Sequence, residues 1–136
     1  MYKFLLVFIL TCNAFSADIV WKSDYKSAVK QEKKEHKRIL LLITSTTCKW
    51  CRKLESTTVK DNNVVKRINQ DYISVEVTRH QDVYPKKFQA KVVPITYFLD
   101  NDEEVIMRGV MGYWSSEDYL SIMDDVDRYY KKKLKK

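Results

Sequence analysis

Glycine and proline are almost missing from this chain: of 136 residues, two are Gly and two are Pro. Collagen-like, Gly-rich and Pro-rich classes are excluded at once. With Gly109 and Gly112 as the only glycines, a Gly-rich phosphate-binding loop is excluded as well. Cysteine is scarce, three in all, too few for a small fold stapled by disulfides. Histidine is scarcer still. His36 falls in a charged stretch and His80 in a loop; neither has metal-ligand spacing, and both are expected on the surface. What is present suffices for one ordinary core. Hydrophobic residues make up 45% and aromatics 12%, and the length suits one domain. The net charge of +7 admits an anionic partner without requiring one.

Residues 1–17 read MYKFLLVFILTCNAFSA. Lys3 precedes an unbroken apolar run from Phe4 to Leu10, and small residues follow at Ala14, Ser16 and Ala17. This is the layout of a cleaved secretory signal, with cleavage near Ser16 or Ala17. The run is too short for a retained membrane anchor, which needs roughly 20 residues. The alternative is lipidation at Cys12, because Ile9-Leu10-Thr11-Cys12 loosely resembles a lipobox. Export predicts a periplasmic protein whose remaining cysteines are Cys48 and Cys51.

No internal repeat or linker interrupts the rest, so one domain is expected over residues 18–130, with a basic tail at 131–136. Ser23 is positioned to cap a helix reaching about Lys37, with Tyr25, Ala28 and Val29 inward. Lys30, Glu32, Lys33, Lys34, Glu35 and Lys37 would form its solvated face. Ile39 to Ile43 is a continuous apolar run that suits a strand buried on both faces. Helical residues follow Cys51 to about Thr57, and Asp61 caps a helix with Val64, Val65 and Ile68 inward. Ile73, Val75 and Val77 alternate as a second strand. A short helical piece is expected over Asp82 to Ala90. Ile95 to Leu99 is a third strand, Asp100-Asn101-Asp102 a turn, and Val105 to Met111 a fourth strand, antiparallel to the third. Ser115 and Asp118 fit a capping box with Trp114 and Tyr119 as its staple. Tyr119, Ile122, Met123, Val126 and Tyr130 then recur at helical spacing. The fold class is α/β, a mixed central sheet of about four strands with helices on both faces.

The chemistry centres on Cys48-Lys49-Trp50-Cys51. A cysteine at a helix start faces unpaired N–H groups and the positive end of the helix dipole, which stabilise a thiolate. Lys49 acts in the same direction. Cys51, one turn inside, is suited to resolving a mixed disulfide. Two other readings stand beside redox exchange. A structural disulfide would close almost no loop and stabilise little, and a metal site needs two further ligands.

The run Ile39 to Ile43, the CKWC segment after it and the block Val92-Val93-Pro94-Ile95-Thr96-Tyr97-Phe98-Leu99-Asp100 together resemble the thioredoxin superfamily, over nearly all of the mature chain. The Cys-Arg-Lys-Leu-Glu continuation is similar to exported bacterial thioredoxin-like thiol–disulfide oxidoreductases. The resemblance implies that Cys48 attacks, that Cys51 resolves, and that Pro94 is a cis-proline facing them. Electrons would pass through the sulfurs, with no cofactor and no metal. The buried Asp of thioredoxins is replaced here by Leu42; Glu55 and Glu76 are the substitutes to consider as proton acceptors. Val93 precedes Pro94, so no hydroxyl is offered there, but its backbone is expected to pair with substrate. Trp50 either contacts substrate or packs over the neighbouring loop. Tyr113 and Trp114 follow the fourth strand and approach the same rim.

The partners implied are protein thiols and disulfides, together with a membrane electron donor or acceptor. No nucleic-acid-binding signature is present. Lys131, Lys132, Lys133, Lys135 and Lys136 read as a solvated, frayed end, or as a weak contact with anionic lipid. Rival readings are a redox-silent binding module and a metal carrier that uses the CxxC pair.

Overall fold

A computed structural model describes residues 17–136. The leader expected over residues 1–17, Cys12 included, lies outside the described residues except for Ala17. The elements run in the order β1 (Trp21–Lys22), α1 (Tyr25–Glu35), β2 (Arg38–Thr44), α2 (Lys49–Ser56), a 3-10 turn (Thr58–Lys60), α3 (Asn62–Asp71), β3 (Tyr72–Thr78), β4 (Ile95–Leu99), β5 (Val110–Met111) and α4 (Ser116–Leu134). The sheet order is β1-β3-β2-β4-β5. β1, β3 and β2 are parallel, and β4 and β5 are antiparallel additions.

β2 is central because its apolar run has a buried destination on both faces. Leu40 and Leu42 pack with Leu54, Val64, Val65, Ile68, Tyr119, Met123 and Val126 from α2, α3 and α4. Ile39, Leu41 and Ile43 face the other way, toward Tyr25 and Ala28 of α1 and toward Phe88. Full burial of each such side chain contributes about 1.5–3 kcal/mol. The expected α/β architecture with helices on both faces is observed, with five strands instead of about four. The extra strand, β1, pairs Trp21 and Lys22 with Ser74 and Val75.

Several local expectations are corrected. α1 is capped by Asp24, whose carboxylate accepts the Ser27 N–H at 2.7 Å; Ser23 donates to Asp24 instead. The helix ends at Glu35 because His36 turns left-handed, with φ 54°. Glu32 is not on a solvated face. It is 1% exposed and accepts a 2.6 Å hydrogen bond from Asn101, whose Oδ1 in turn accepts from Tyr130 OH.

The helix expected over Asp82 to Ala90 is absent. Pro85 lacks the N–H a helix would use and turns the preceding residue away from helical geometry. The segment instead makes turns, with the Asp82 carboxylate accepting the Thr78 N–H and one turn closing from Phe88 N–H to Pro85 O. Phe88 is thereby buried against Tyr25 and Tyr97.

The strand expected over Val105 to Met111 shrinks to Val110–Met111 plus a single bridge from Val105 to Leu99. The chain passes so close to the Tyr97 ring at Gly109 that a Cβ there would lie 2.7 Å from Tyr97 Cε1. Ser115 caps α4 as expected, accepting the Asp118 N–H. Tyr119 is buried, but Trp114 is 40% exposed. It is turned so that its indole N–H donates to Met111 O. It therefore borders the rim and is no core staple. α4 also continues as helix through Leu134, past the point where a frayed tail was expected. Lys133 pairs there with Asp100. Burial works against the Asp100 charge, but Lys133 and the Glu104 and Asp102 amides outweigh it and hold the carboxyl below its usual range.

Candidate active site

Cys48 caps α2 with extended backbone, and its sulfur accepts the Cys51 N–H at 3.1 Å. The two cysteines are joined as a disulfide, with Cα atoms 5.2 Å apart. Their surroundings differ as a helix start dictates. Cys51, one turn in, is fully buried, while Cys48 remains partly exposed. The chain crossing in front of them is Val93–Pro94. Its peptide bond is cis, and Val93 O lies 3.6 Å from Cys48 Sγ. Pro94 O accepts the Gly112 N–H at 2.7 Å, which ties the end of β5 to the same spot. Gly112 has φ +86°, a conformation that favours glycine. It directs Tyr113 back toward α2. Cys48, Trp50, Cys51, Val93 and Pro94 are thus brought together at one end of the sheet.

One helical turn beyond Cys51, Glu55 meets Glu76 in a pair of carboxylates. Leu42 and Glu76 are register partners on β2 and β3, so Glu76 points to the sheet face that carries α2. Glu55 follows Cys51 by one helical turn and shares its side of the helix. Burial and the adjoining Glu55 push the Glu76 carboxyl up to about 7, against the opposing pull of Arg52 and Thr44. Arg52 lies 2.9 Å from Glu55 and also donates to Ser45 O. Thr44 Oγ1 is 3.4 Å from Glu76 Oε1. A cleft of about 310 Å³, lined by Trp21, Arg52, Glu55 and Glu76 among others, gives this pair access to water.

The opposite side of α2 is aromatic and basic. Trp50 is 51% exposed, and its ring centroid is 5.9 Å from that of Tyr113. It therefore both packs on the loop after β5 and presents surface to solvent. Lys53 lies against both rings, 5.1 Å from the Trp50 centroid and 4.6 Å from that of Tyr113. Lys53 belongs to no motif in the sequence; its spacing of three from Trp50 is the signal that places it beside that ring. His36 and His80 are exposed and remote in sequence from the cysteines. Among the described residues no group of three or more His, Cys, Asp or Glu could hold a metal.

Spermatogenesis-associated protein 20 of Homo sapiens is 28% identical over 61 residues, 45% of this chain but 8% of that protein, so the chain spans a small part of its relative. Among solved structures, a thioredoxin from Thermus thermophilus superposes with a TM-score of 0.70 at 14% identity, covering 81% of this chain and 88% of the other. DsbH oxidoreductase gives 0.66 at 19% identity, covering 81% and 85%. The oxidised DsbD C-terminal domain of Neisseria meningitidis gives 0.60 at 16% identity, covering 80% and 98%. At these identities the likeness is one of fold. The model of the thioredoxin-like domain family matches residues 25–127, from the start of α1 to the body of α4, and the chain belongs to that family.

Proposed function

We propose that this protein is an exported thiol–disulfide oxidoreductase acting on protein substrates through Cys48 and Cys51. One observation carries the reading: the bonded pair opens a helix with Cys48 reachable, Cys51 buried and Val93 O 3.6 Å from the Cys48 sulfur.

In the reduced protein the Cys48 thiolate attacks one sulfur of a substrate disulfide. The substrate S–S bond breaks, and the departing sulfur takes a proton. Cys51, once deprotonated, attacks the Cys48 sulfur and expels the second substrate sulfur, which is protonated in turn. The substrate gains two electrons and two protons, and the protein is left with its disulfide. The reverse order oxidises a substrate dithiol. A dithiol donor or disulfide acceptor at the membrane restores the starting state. Glu76, poised near neutrality beside Glu55, is the group assigned to take the Cys51 proton. Trp50, Val93 and Pro94 form the surface on which substrate lies. The sequence of residues 1–17 supports export. The lysine-rich end supports a weak contact with anionic lipid, worth about 1 kcal/mol per lysine near the surface.

The test is the reduction potential of the mature protein, equilibrated against a dithiol buffer. An exchanging pair falls between about −270 and −120 mV. A value well below about −300 mV overturns the reading and leaves a redox-silent binding module.

A further inference from the structure

The side of α2 away from the carboxylates carries positive charge that no acidic side chain among the described residues neutralises. Lys53 is held between two aromatic rings, at 4.6 Å from Tyr113 and 5.1 Å from Trp50, and Lys49 lies 6.0 Å from the Trp50 centroid. Neither lysine makes an ion pair among the described residues, whereas Arg52 on the same helix is paired with Glu55. The distinction matters physically. A carboxylate partner cancels a cation's field, while an aromatic face orders the ammonium and leaves its charge to act on an approaching group. The acids next to this loop in sequence are Glu117 and Asp118 in the first turn of α4. Asp118 is engaged there by the Ser115 hydroxyl at 2.8 Å.

Around these cations the surface is apolar. Trp50 and Val92 are each 51% exposed, Met111 58% and Trp114 40%. Large exposed apolar side chains gathered on neighbouring segments in this way mark an interaction site. The Val93 N–H has no partner among the described residues, so a backbone laid alongside it in extended form finds a donor.

We infer that this rim selects protein substrates whose reactive cysteine lies in an extended segment bearing an apolar residue and an adjacent acidic one. The apolar residue rests on Trp50 and Met111, and the carboxylate faces Lys49 and Lys53. The inference rests on the exchange activity proposed above and names the substrate class of that same site.

The experiment uses the mature chain, reduced and freed of reductant. It is mixed with two disulfide-linked peptides that differ only in carrying Glu or Lys beside a Leu next to the cysteine. Trp fluorescence follows the rates, and the readout is their ratio within each protein. The Glu peptide is expected to react roughly three- to tenfold faster, and the ratio should fall toward one as salt screens the charges. In the double variant Lys49→Glu/Lys53→Glu the ratio should invert, and in Lys53→Met it should shrink. Equal rates in the unaltered protein, or a ratio that the double variant does not move, overturn the inference while exchange itself stands. No reaction with either peptide or with hydroxyethyl disulfide, a small uncharged probe, overturns the exchange reading and this inference with it.

Discussion

Glu76 stands beside Leu42 on adjacent parallel strands, both directed at the face of the sheet that carries α2. The carboxyl next to the buried cysteine's helix thus comes from β3, while β2 itself stays wholly apolar over Ile39–Ile43. Its pairing with Glu55 joins two acids that are 21 positions apart in sequence.

That pairing has a signature in stability. The Glu76 carboxyl rises from 4.5 to about 7 on folding, so the folded state holds a proton the unfolded chain has released. Its contribution is present below about pH 4.5 and is lost as pH rises through about 7. Urea denaturation at about pH 5 and about pH 8 should show the natural protein losing stability between the two. Glu76→Gln should flatten that difference. It should also slow resolution of the mixed disulfide more than the initial attack.

The two cysteines should behave asymmetrically. Cys51→Ser is expected to accumulate mixed disulfides through Cys48, because attack survives and resolution does not. Cys48→Ser should accumulate none, its remaining sulfur being buried. Non-reducing gels followed by peptide mapping read this directly. Equal trapping by both variants would reverse the assigned roles.

The two glycines should fail differently when replaced by alanine. At Gly112 a side chain meets nothing within 4 Å, but φ is +86°, so the cost is conformational, roughly 1–2 kcal/mol. At Gly109 the new methyl would sit 2.7 Å from Tyr97 Cε1. That ring is anchored by its hydroxyl to Gln89 O, so overpacking should cost roughly 1–3 kcal/mol. Only Gly112→Ala should also alter the fluorescence of Trp50, through displacement of Tyr113.

Asn101→Ala should destabilise by roughly 1–3 kcal/mol. It removes the 2.6 Å donor to the buried Glu32 carboxylate, whose other oxygen already lacks a partner. Glu32→Gln in the same background should recover part of the loss, as measured by denaturant midpoint.

The features legible in the sequence were those written locally. The unbroken apolar run of β2, the Asp61 cap of α3, the Ser115 cap of α4 and the position of CKWC at a helix start all depend on near neighbours. β1 was invisible because two residues carry no period and pair only with β3. Over Asp82 to Ala90 the helical spacing is weaker than the break that Pro85 introduces. Glu32 looked like one more charge among lysines, and its partner Asn101 lies 69 positions away. Glu55 and Glu76 are each recognisable as candidates, but their contact exists only because α2 lies on the sheet face to which Glu76 points. Tyr113 was placed near the rim by sequence, whereas its clasp on Lys53 depends on the turn at Gly112.

The continuation of α4 through Leu134 makes the basic terminus part of a stiff rod. The helix begins next to Trp114, beside the rim, and its 19 residues span roughly 28 Å at 1.5 Å per residue. Lys133, pinned to Asp100 beyond the far end of β4, fixes that end to the body of the fold. The lysines and the disulfide therefore occupy opposite poles of the molecule. Any anionic surface that captures the lysines holds the disulfide at a stand-off of about one α4 length, facing away, with no slack through which it could fold back.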